Sequence, residues 1–132
     1  MRDDYGASTL ELAIIAPLLF ILALGIVDMG RALALGVTVS EAAQEGLTYA
    51  AYEPSETDSI VSRVVFSTTD PNLAAENVTI TCPVAPSDHI AVTVDYDLEL
   101  MTPLISDLLG GTVTLSKTVI GEIFSEDPCA AS

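Results

Sequence analysis

Gly6, Ala7 and Glu11 form the pattern in this chain whose residue types and spacing could carry chemistry. Glu11 lies directly before an uncharged, almost wholly apolar run at residues 12–27. A carboxylate at the centre of a membrane helix costs about 2.5–3.5 kcal/mol on insertion scales, so such a residue indicates a function. If the chain were cut after Gly6, the new amine of Ala7 would lie four residues before Glu11. Because residues four apart on a helix are neighbours, the spacing predicts a charge pair between Glu11 and an N-terminal amine, in the same chain or in a neighbouring one.

This N-terminal pattern resembles the type IV prepilin motif, in which a glycine, a cleavage site, four residues and a glutamate precede an apolar helix. Further matches resemble the TadE-like pseudopilins, minor components of the Tad (tight adherence) pilus system, and cover roughly residues 2–52. They comprise residues 11–20, 25–32 and 42–51. Beyond residue 52 only the general layout of the chain is similar, including Thr102-Pro103-Leu104 before the last predicted strand. The leader departs from the family, because Arg2 is followed by two aspartates where more basic residues are usual. Membrane orientation therefore rests on the motif and not on the positive-inside rule.

The resemblance implies a minor pilin-like subunit or assembly factor of a Tad-type pilus, acting in pilus biogenesis, adhesion and surface colonisation. In that family a membrane-embedded prepilin peptidase cuts after the glycine, here Gly6, and usually methylates the new N-terminus, here Ala7. The glutamate, here Glu11, neutralises the amine when subunits pack into a fibre. The implied partners are the prepilin peptidase, other pilin and pseudopilin subunits, and the Tad assembly machinery.

The apolar run continues as a predicted helix, without a breaker, to about residue 51. This helix would be about 66 Å long at 1.5 Å per residue. Its part from about residue 10 to residue 30 can span most of a bilayer core of about 30 Å, so membrane lipid is an expected partner. We expect a single-pass protein of the cytoplasmic membrane, with the later residues outside the cytoplasm and an extracellular pilus as the assembled form. A cleaved secretory signal is the alternative, but Asp28 follows the run where a small-residue cleavage site would be required.

Four charged residues and one proline interrupt the pattern of this helix. Pro17 removes one backbone hydrogen bond and predicts a kink, which either lets the helix bend on assembly or is tolerated without a function. Asp28 and Arg31 are three apart and are predicted to pair near the membrane edge, chiefly as a topological stop. Glu41 and Glu45 are like charges four apart, which we expect to face water or to await an external cation.

The remainder of the chain is strongly acidic. From Ser40 onward fifteen Asp and Glu residues stand against Arg63 and Lys117, a net charge of −13. Binding to nucleic acid or docking on anionic lipid requires the opposite sign, so the composition excludes both functions for this part. The acidic charge is typical of a surface that keeps a domain soluble.

At 132 residues the chain has room for one small domain and one membrane helix. We divide it into a leader (1–6), a long helix (7–52) and an acidic extracytoplasmic α+β head (53–132). The predicted fold class is α+β: a transmembrane-plus-stalk helix, then a short helix and a three-stranded antiparallel sheet. Ser55 and Asp58 resemble a capping box for the short helix, which would end near residue 67. The predicted strands are 77–82, 90–100 and 112–123, with a further short helix at 101–109.

The middle strand shows the clearest alternation. One face carries apolar side chains and the other carries polar ones, namely Val92, Val94, Tyr96, Leu98 and Leu100 against Thr93, Asp95, Asp97 and Glu99. A row of three carboxylates suits a hard cation such as calcium, but no loop with ligand spacing accompanies it. We therefore expect a solvated sheet face and no metal site.

Cys82 and Cys129 are the two cysteines of the chain. A head outside the cytoplasm permits a disulfide between them. In the chain-entropy model such a bond contributes on the order of 4 kcal/mol. The alternative is two unpaired thiols, with Cys129 in a frayed tail.

The sequence shows no pattern typical of a catalytic site. His89 is the sole histidine and has no nucleophile motif beside it, and there is no phosphate-binding glycine loop and no zinc spacing. We expect a protein that is not an enzyme and has no cofactor. The alternative to a pilus subunit is a permanently membrane-anchored extracytoplasmic binding module that does not polymerise.

Overall fold

A computed structural model describes residues 3–68, 72–82, 88–102, 106–107, 110–126 and 129, with side chains from residue 8 onward. Two α-helices are followed by a 3-10 turn and three strands, which confirms the predicted α+β class. The elements are α1 (Asp3–Ala50), α2 (Thr57–Phe66), the 3-10 turn Ala75–Asn77, β1 (Val78–Thr81), β2 (His89–Glu99) and β3 (Thr112–Glu122).

The chain divides into two compact units. The first unit contains α1 up to Leu33 together with the segment from Glu99 to Val113. The second unit contains Ala34–Leu98 and the chain from Thr114 onward. Each unit has its own internal contacts.

The first unit is dominated by apolar side chains that protein atoms leave uncovered. Leu18, Leu22 and Ile26 on α1 are between 58% and 65% exposed. The chain that leaves β2 turns back toward β3 through Gly110 and Gly111, whose φ angles of 85° and 94° lie in the left-handed region that favours glycine. The turn is closed by two hydrogen bonds, from the Leu100 amide to the Gly111 carbonyl at 3.3 Å and from the Gly111 amide to the Ser106 carbonyl at 2.7 Å.

The second unit holds the hydrophobic core. The apolar face of β2 is buried as the alternation predicts, because successive side chains of a strand point to opposite faces. The core is completed by small side chains of α1 and by two residues of α2. The buried members are Val39, Ala42, Ala43, Ala50, Ile60, Val64, Ile90, Val92, Val94, Tyr96 and Leu98.

The three strands form one antiparallel sheet in the order β1-β2-β3. Val78 pairs with Val94 and Thr81 with Ala91. On the outer face the hydroxyls of Thr93 and Thr118 are 2.9 Å apart. Such cross-strand contacts stabilise the sheet, and the side chains of this face are half-buried at Thr93 and Asp95 and exposed at Asp97 and Glu99.

At Gly46 the helix α1 lies close against side chains of α2 and β2. A Cβ placed on Gly46 would lie closer to Cγ2 of Val64 than real Cβ atoms come, and 3.4 Å from Cγ1 of Val92. Val64 is fully buried and its β-branched side chain has few rotamers, so it cannot move aside. The absence of a side chain at position 46 therefore allows α1 to pack against α2 and β2.

The predicted capping box at Ser55 is wrong. The residue before the first turn of α2 is Glu56, and no side chain caps the helix there. The Glu56 amide donates to the carbonyl of Glu53 at 3.2 Å, and the Glu56 carbonyl accepts the first helical hydrogen bond from Ile60 at 3.0 Å. Because this tight turn uses residues 53–56, Ser55 lies inside the turn. The predicted helix 101–109 lies largely outside the described residues, although the Ser106 amide donates to the Thr102 carbonyl at 2.8 Å, as in a helical turn.

Candidate membrane and assembly site

α1 carries all the residues predicted to act in processing and assembly. Its stretch Ser8–Ala50 has an apolar window with mean hydropathy 2.6, none of which is buried, and it is long enough to cross a membrane. Gly6 and Ala7 belong to the backbone of the helix. Ala7 and Glu11 are therefore one helical turn apart, as the predicted pairing of the amine and the carboxylate requires.

Glu11 stands exposed in an apolar environment. Its neighbours Leu10 and Leu12 are 64% and 63% exposed, so the carboxylate lies on an open apolar surface. Among the side chains that the structure describes, Glu11 has no ion pair. No opposite charge among the described side chains compensates this carboxylate.

Pro17 lies within α1, which continues through it as one helix. The proline ring has no N–H and cannot make the usual bond to the carbonyl four residues earlier. The helix is therefore one hydrogen bond weaker at this turn. A bending role for Pro17 stays a prediction.

Asp28 makes several polar contacts within the first unit, and we call Asp28, Arg31, Met101 and Thr102 the Asp28 cluster. One carboxylate oxygen of Asp28 accepts from the Met101 amide at 3.0 Å. The other accepts from the amide and the hydroxyl of Thr102, at 2.9 and 2.7 Å. Asp28 is only 5% exposed and Thr102 is fully buried. The carboxylate is thus solvated by protein donors in place of water.

Arg31 completes this cluster. Its Nη1 lies 3.6 Å from Oδ1 of Asp28, which confirms the predicted pair. The same nitrogen donates to the backbone carbonyl of Glu99 at 3.1 Å. The pair is therefore more than a topological stop, because it fastens the chain at residues 99–102 to α1.

Glu45 has a partner that the sequence analysis missed. Its Oε1 lies 4.0 Å from Nη1 of Arg63 on α2. The Arg63 guanidinium also lies over the ring of Tyr49, 5.2 Å from the centroid. Glu45 is about half exposed and faces water as expected, and it also lies at ion-pair distance from Arg63, which comes from an element 18 residues further along the chain. Glu41 is exposed, as expected.

Cys82 and Cys129 form the predicted disulfide. It joins the end of β1 to the chain beyond β3 across 47 positions, so both β2 and β3 lie within the closed loop. A second link in this region is the hydrogen bond from the Phe124 amide to the Ala51 carbonyl at 2.7 Å. Together they tie the last part of the described chain to the sheet and to the end of α1.

Within the described part of the chain, no group of three or more His, Cys, Asp and Glu residues is placed to hold a metal ion. Asp97, one of the three carboxylates of the polar β2 face, accepts a hydrogen bond from the hydroxyl of Thr114 at 2.6 Å. His89 is exposed at the start of β2. The features that stand out are therefore the apolar stretch of α1, which begins beside Glu11, and the Asp28 cluster.

The chain thus combines an apolar N-terminal helix that is long enough to cross a membrane with a disulfide-linked α+β part that follows it. Residues 6–48 match the family model described as TadE-like protein, which confirms the family resemblance over that part of the chain. The match associates the protein with Tad pili in general. Neither the curated proteins nor the solved structures contain a significant match.

Proposed function

We propose that this protein is a minor pilin-like subunit or an assembly factor of a Tad-type pilus, with a non-catalytic role in pilus biogenesis, adhesion and surface colonisation. In this proposal the prepilin peptidase cuts after Gly6 and leaves Ala7 as the new N-terminus. α1 anchors the subunit in the cytoplasmic membrane and then packs against other pilin or pseudopilin subunits.

One observation carries the proposal: Glu11 is exposed on an apolar helix and has no ion pair among the described side chains, and it lies one turn after the residue that would become the N-terminus. A charge on such a surface is costly in lipid unless it meets an opposite charge. The amine created by cleavage after Gly6 supplies that charge, either on the same helix or on a neighbouring subunit. The match over residues 6–48 begins at the proposed cleavage site, which supports this assignment.

The disulfide supports the proposed topology. Disulfides persist outside the cytoplasm and are rare within it. In this proposal the second unit, with Cys82 and Cys129 bonded, lies on the extracytoplasmic side, and α1 crosses the membrane with its N-terminus in the cytoplasm.

The first experiment is the intact mass of the protein from native membranes and from sheared surface material. We expect loss of residues 1–6, with or without one added methyl group, and a two-hydrogen deficit from the disulfide. A full-length mass in cells with an active prepilin peptidase would contradict processing. It would favour the alternative of a permanently anchored binding module that does not polymerise.

The second experiment separates assembly from processing. Glu11→Val should leave cleavage largely intact and impair pilus assembly, because the amine then has no carboxylate partner. Glu41→Val is the matched control, since Glu41 is also exposed on α1 but lies outside the apolar run. Normal pilus output from the Glu11 variant would refute the pairing.

A further inference from the structure

The uncharged run of α1 is short for a bilayer. Residues 12–27 number sixteen and span about 24 Å at 1.5 Å per residue. The hydrocarbon core of a typical bilayer is about 30 Å thick, which needs about 20 residues. Extending the run to Leu33 gives 22 residues and about 33 Å, which matches the core, but this extension includes Asp28 and Arg31.

The exposed apolar surface of α1 does not end at Asp28. Ile26, Met29 and Leu33 are 65%, 63% and 62% exposed. At 100° per residue these three positions lie on one face of the helix, and Asp28 and Arg31 lie on the opposite face. The exposed apolar surface therefore continues past Asp28, and the charges of Asp28 and Arg31 do not interrupt it.

The charges on the opposite face already have protein partners. The carboxylate of Asp28 accepts three hydrogen bonds from Met101 and Thr102 and is nearly inaccessible. Arg31 binds both this carboxylate and the Glu99 carbonyl. A polar group costs most to bury when it is unsatisfied, so these contacts lower the cost of placing this turn of α1 at the edge of the hydrocarbon.

We propose that Met29 and Leu33 contact acyl chains of the outer leaflet, so that the hydrocarbon boundary lies near Leu33. Asp28 then lies about 7.5 Å deeper along the helix axis, where the rest of the Asp28 cluster shields its carboxylate from the hydrocarbon. This proposal rests on the membrane insertion proposed above. The segment 99–102 lies against the charged face of α1 and provides the hydrogen bonds that Asp28 would otherwise take from water. Met101, whose amide donates to Asp28 and whose side chain is 57% exposed, lies beside Asp28 at this depth.

The chain contains no tryptophan, so one introduced tryptophan reports a single depth. We would reconstitute three full-length variants, Leu22→Trp, Leu33→Trp and Glu41→Trp, in phosphatidylcholine vesicles with and without brominated acyl chains. All three replaced side chains are exposed, so the folded core is left unchanged. We expect strong quenching by brominated lipid and blue-shifted emission at positions 22 and 33. At position 41 we expect no such quenching, but quenching by aqueous iodide.

The outcomes separate the two proposals. If the position 33 probe behaves like the position 41 probe while position 22 is quenched, the membrane insertion holds and the boundary proposal is refuted. If the position 22 probe is also unquenched, the insertion itself fails. Blue-shifted emission at position 33 without quenching by brominated lipid would mean that a second copy covers this face, which also refutes the lipid assignment.

A further variant tests the role of the Asp28 cluster. Thr102→Val in the Leu33→Trp background removes the hydroxyl donor to Asp28, and we expect less quenching because the carboxylate then requires water. Thr118→Val is the matched control, since it removes a threonine hydroxyl from the outer face of the sheet. Unchanged quenching with Thr102→Val would contradict a role for the cluster in setting the boundary.

Discussion

The carboxylate of Asp28 accepts hydrogen bonds from both the amide and the hydroxyl of Thr102, a residue 74 positions further along the chain. No local pattern in the sequence links these two residues. Their contact joins the middle of α1 to the chain that leaves β2, within the first unit. It gives the chain at residues 99–102 a fixed attachment to the apolar helix.

Thr102→Val should loosen this attachment. Valine keeps the shape of threonine but leaves one oxygen of Asp28 with a single donor, the amide of residue 102. We expect a lower melting temperature in detergent micelles and severalfold faster hydrogen exchange of the amides of residues 101 and 102. Thr118→Val serves as the control, and equal effects of the two variants would show that the buried hydroxyl of Thr102 has no special role.

Gly46→Ala should destabilise the second unit by about 1–3 kcal/mol, the range found when a packed core is overfilled. The added methyl group would collide with Val64, which is fully buried. Gly36→Ala is the matched control, because a Cβ there meets nothing within 4 Å. That variant should stabilise the helix by up to about 1 kcal/mol, since alanine is the better helix former. Urea unfolding followed by circular dichroism measures the free energy of unfolding of both variants. Equal changes for Gly46→Ala and Gly36→Ala would contradict the close packing at Gly46.

Removal of the disulfide should cost on the order of 2–4 kcal/mol of unfolding free energy. The double variant Cys82→Ser/Cys129→Ser, compared with the oxidised protein in denaturant, measures the effect. The oxidised protein treated with a reductant provides an independent comparison, and it should lose the same stability. If neither the double substitution nor the reductant shifts the midpoint of denaturant unfolding, the disulfide does not contribute to the free energy of unfolding.

Arg63→Met should reduce stability by less than about 1 kcal/mol, because the ion pair with Glu45 is about half exposed and such pairs contribute little. Methionine retains an apolar side chain over Tyr49 and removes the charge. The loss should shrink in high salt, which screens the pair but not the packing. A loss of several kcal/mol would show that Arg63 has a structural role beyond these two contacts.

The local residue pattern of the sequence was sufficient to predict β2 and α1. The buried face of β2 follows from the two-residue repeat, and α1 follows from its long apolar composition. The start of α2 was predicted at the wrong residue. The turn at residues 53–56 closes through a backbone hydrogen bond, and such a bond leaves no signal in the residue types. A serine followed by an acid three residues later is compatible with a cap but does not require one.

The candidate site was predicted unevenly for a similar reason. Glu11 and the Asp28–Arg31 pair were recognised because their spacing is local to one helix. Thr102 and Arg63 were missed as partners, since each reaches α1 only through the tertiary structure. Cys82 and Cys129 are an exception, because with two cysteines in the chain only one intramolecular pairing exists.

The Cys82–Cys129 bond also determines how the subunit would carry a mechanical load. A pull along the chain from α1 toward the C-terminal end passes through β1 and then across the sulfur–sulfur bond. β2 and β3 lie inside the closed loop and bear none of this tension, so they cannot be peeled from the sheet by it. The 47 positions of the loop hold about 155–170 Å of contour length that an oxidised subunit cannot release. In a fibre under strain, this bond would limit how far each subunit lengthens.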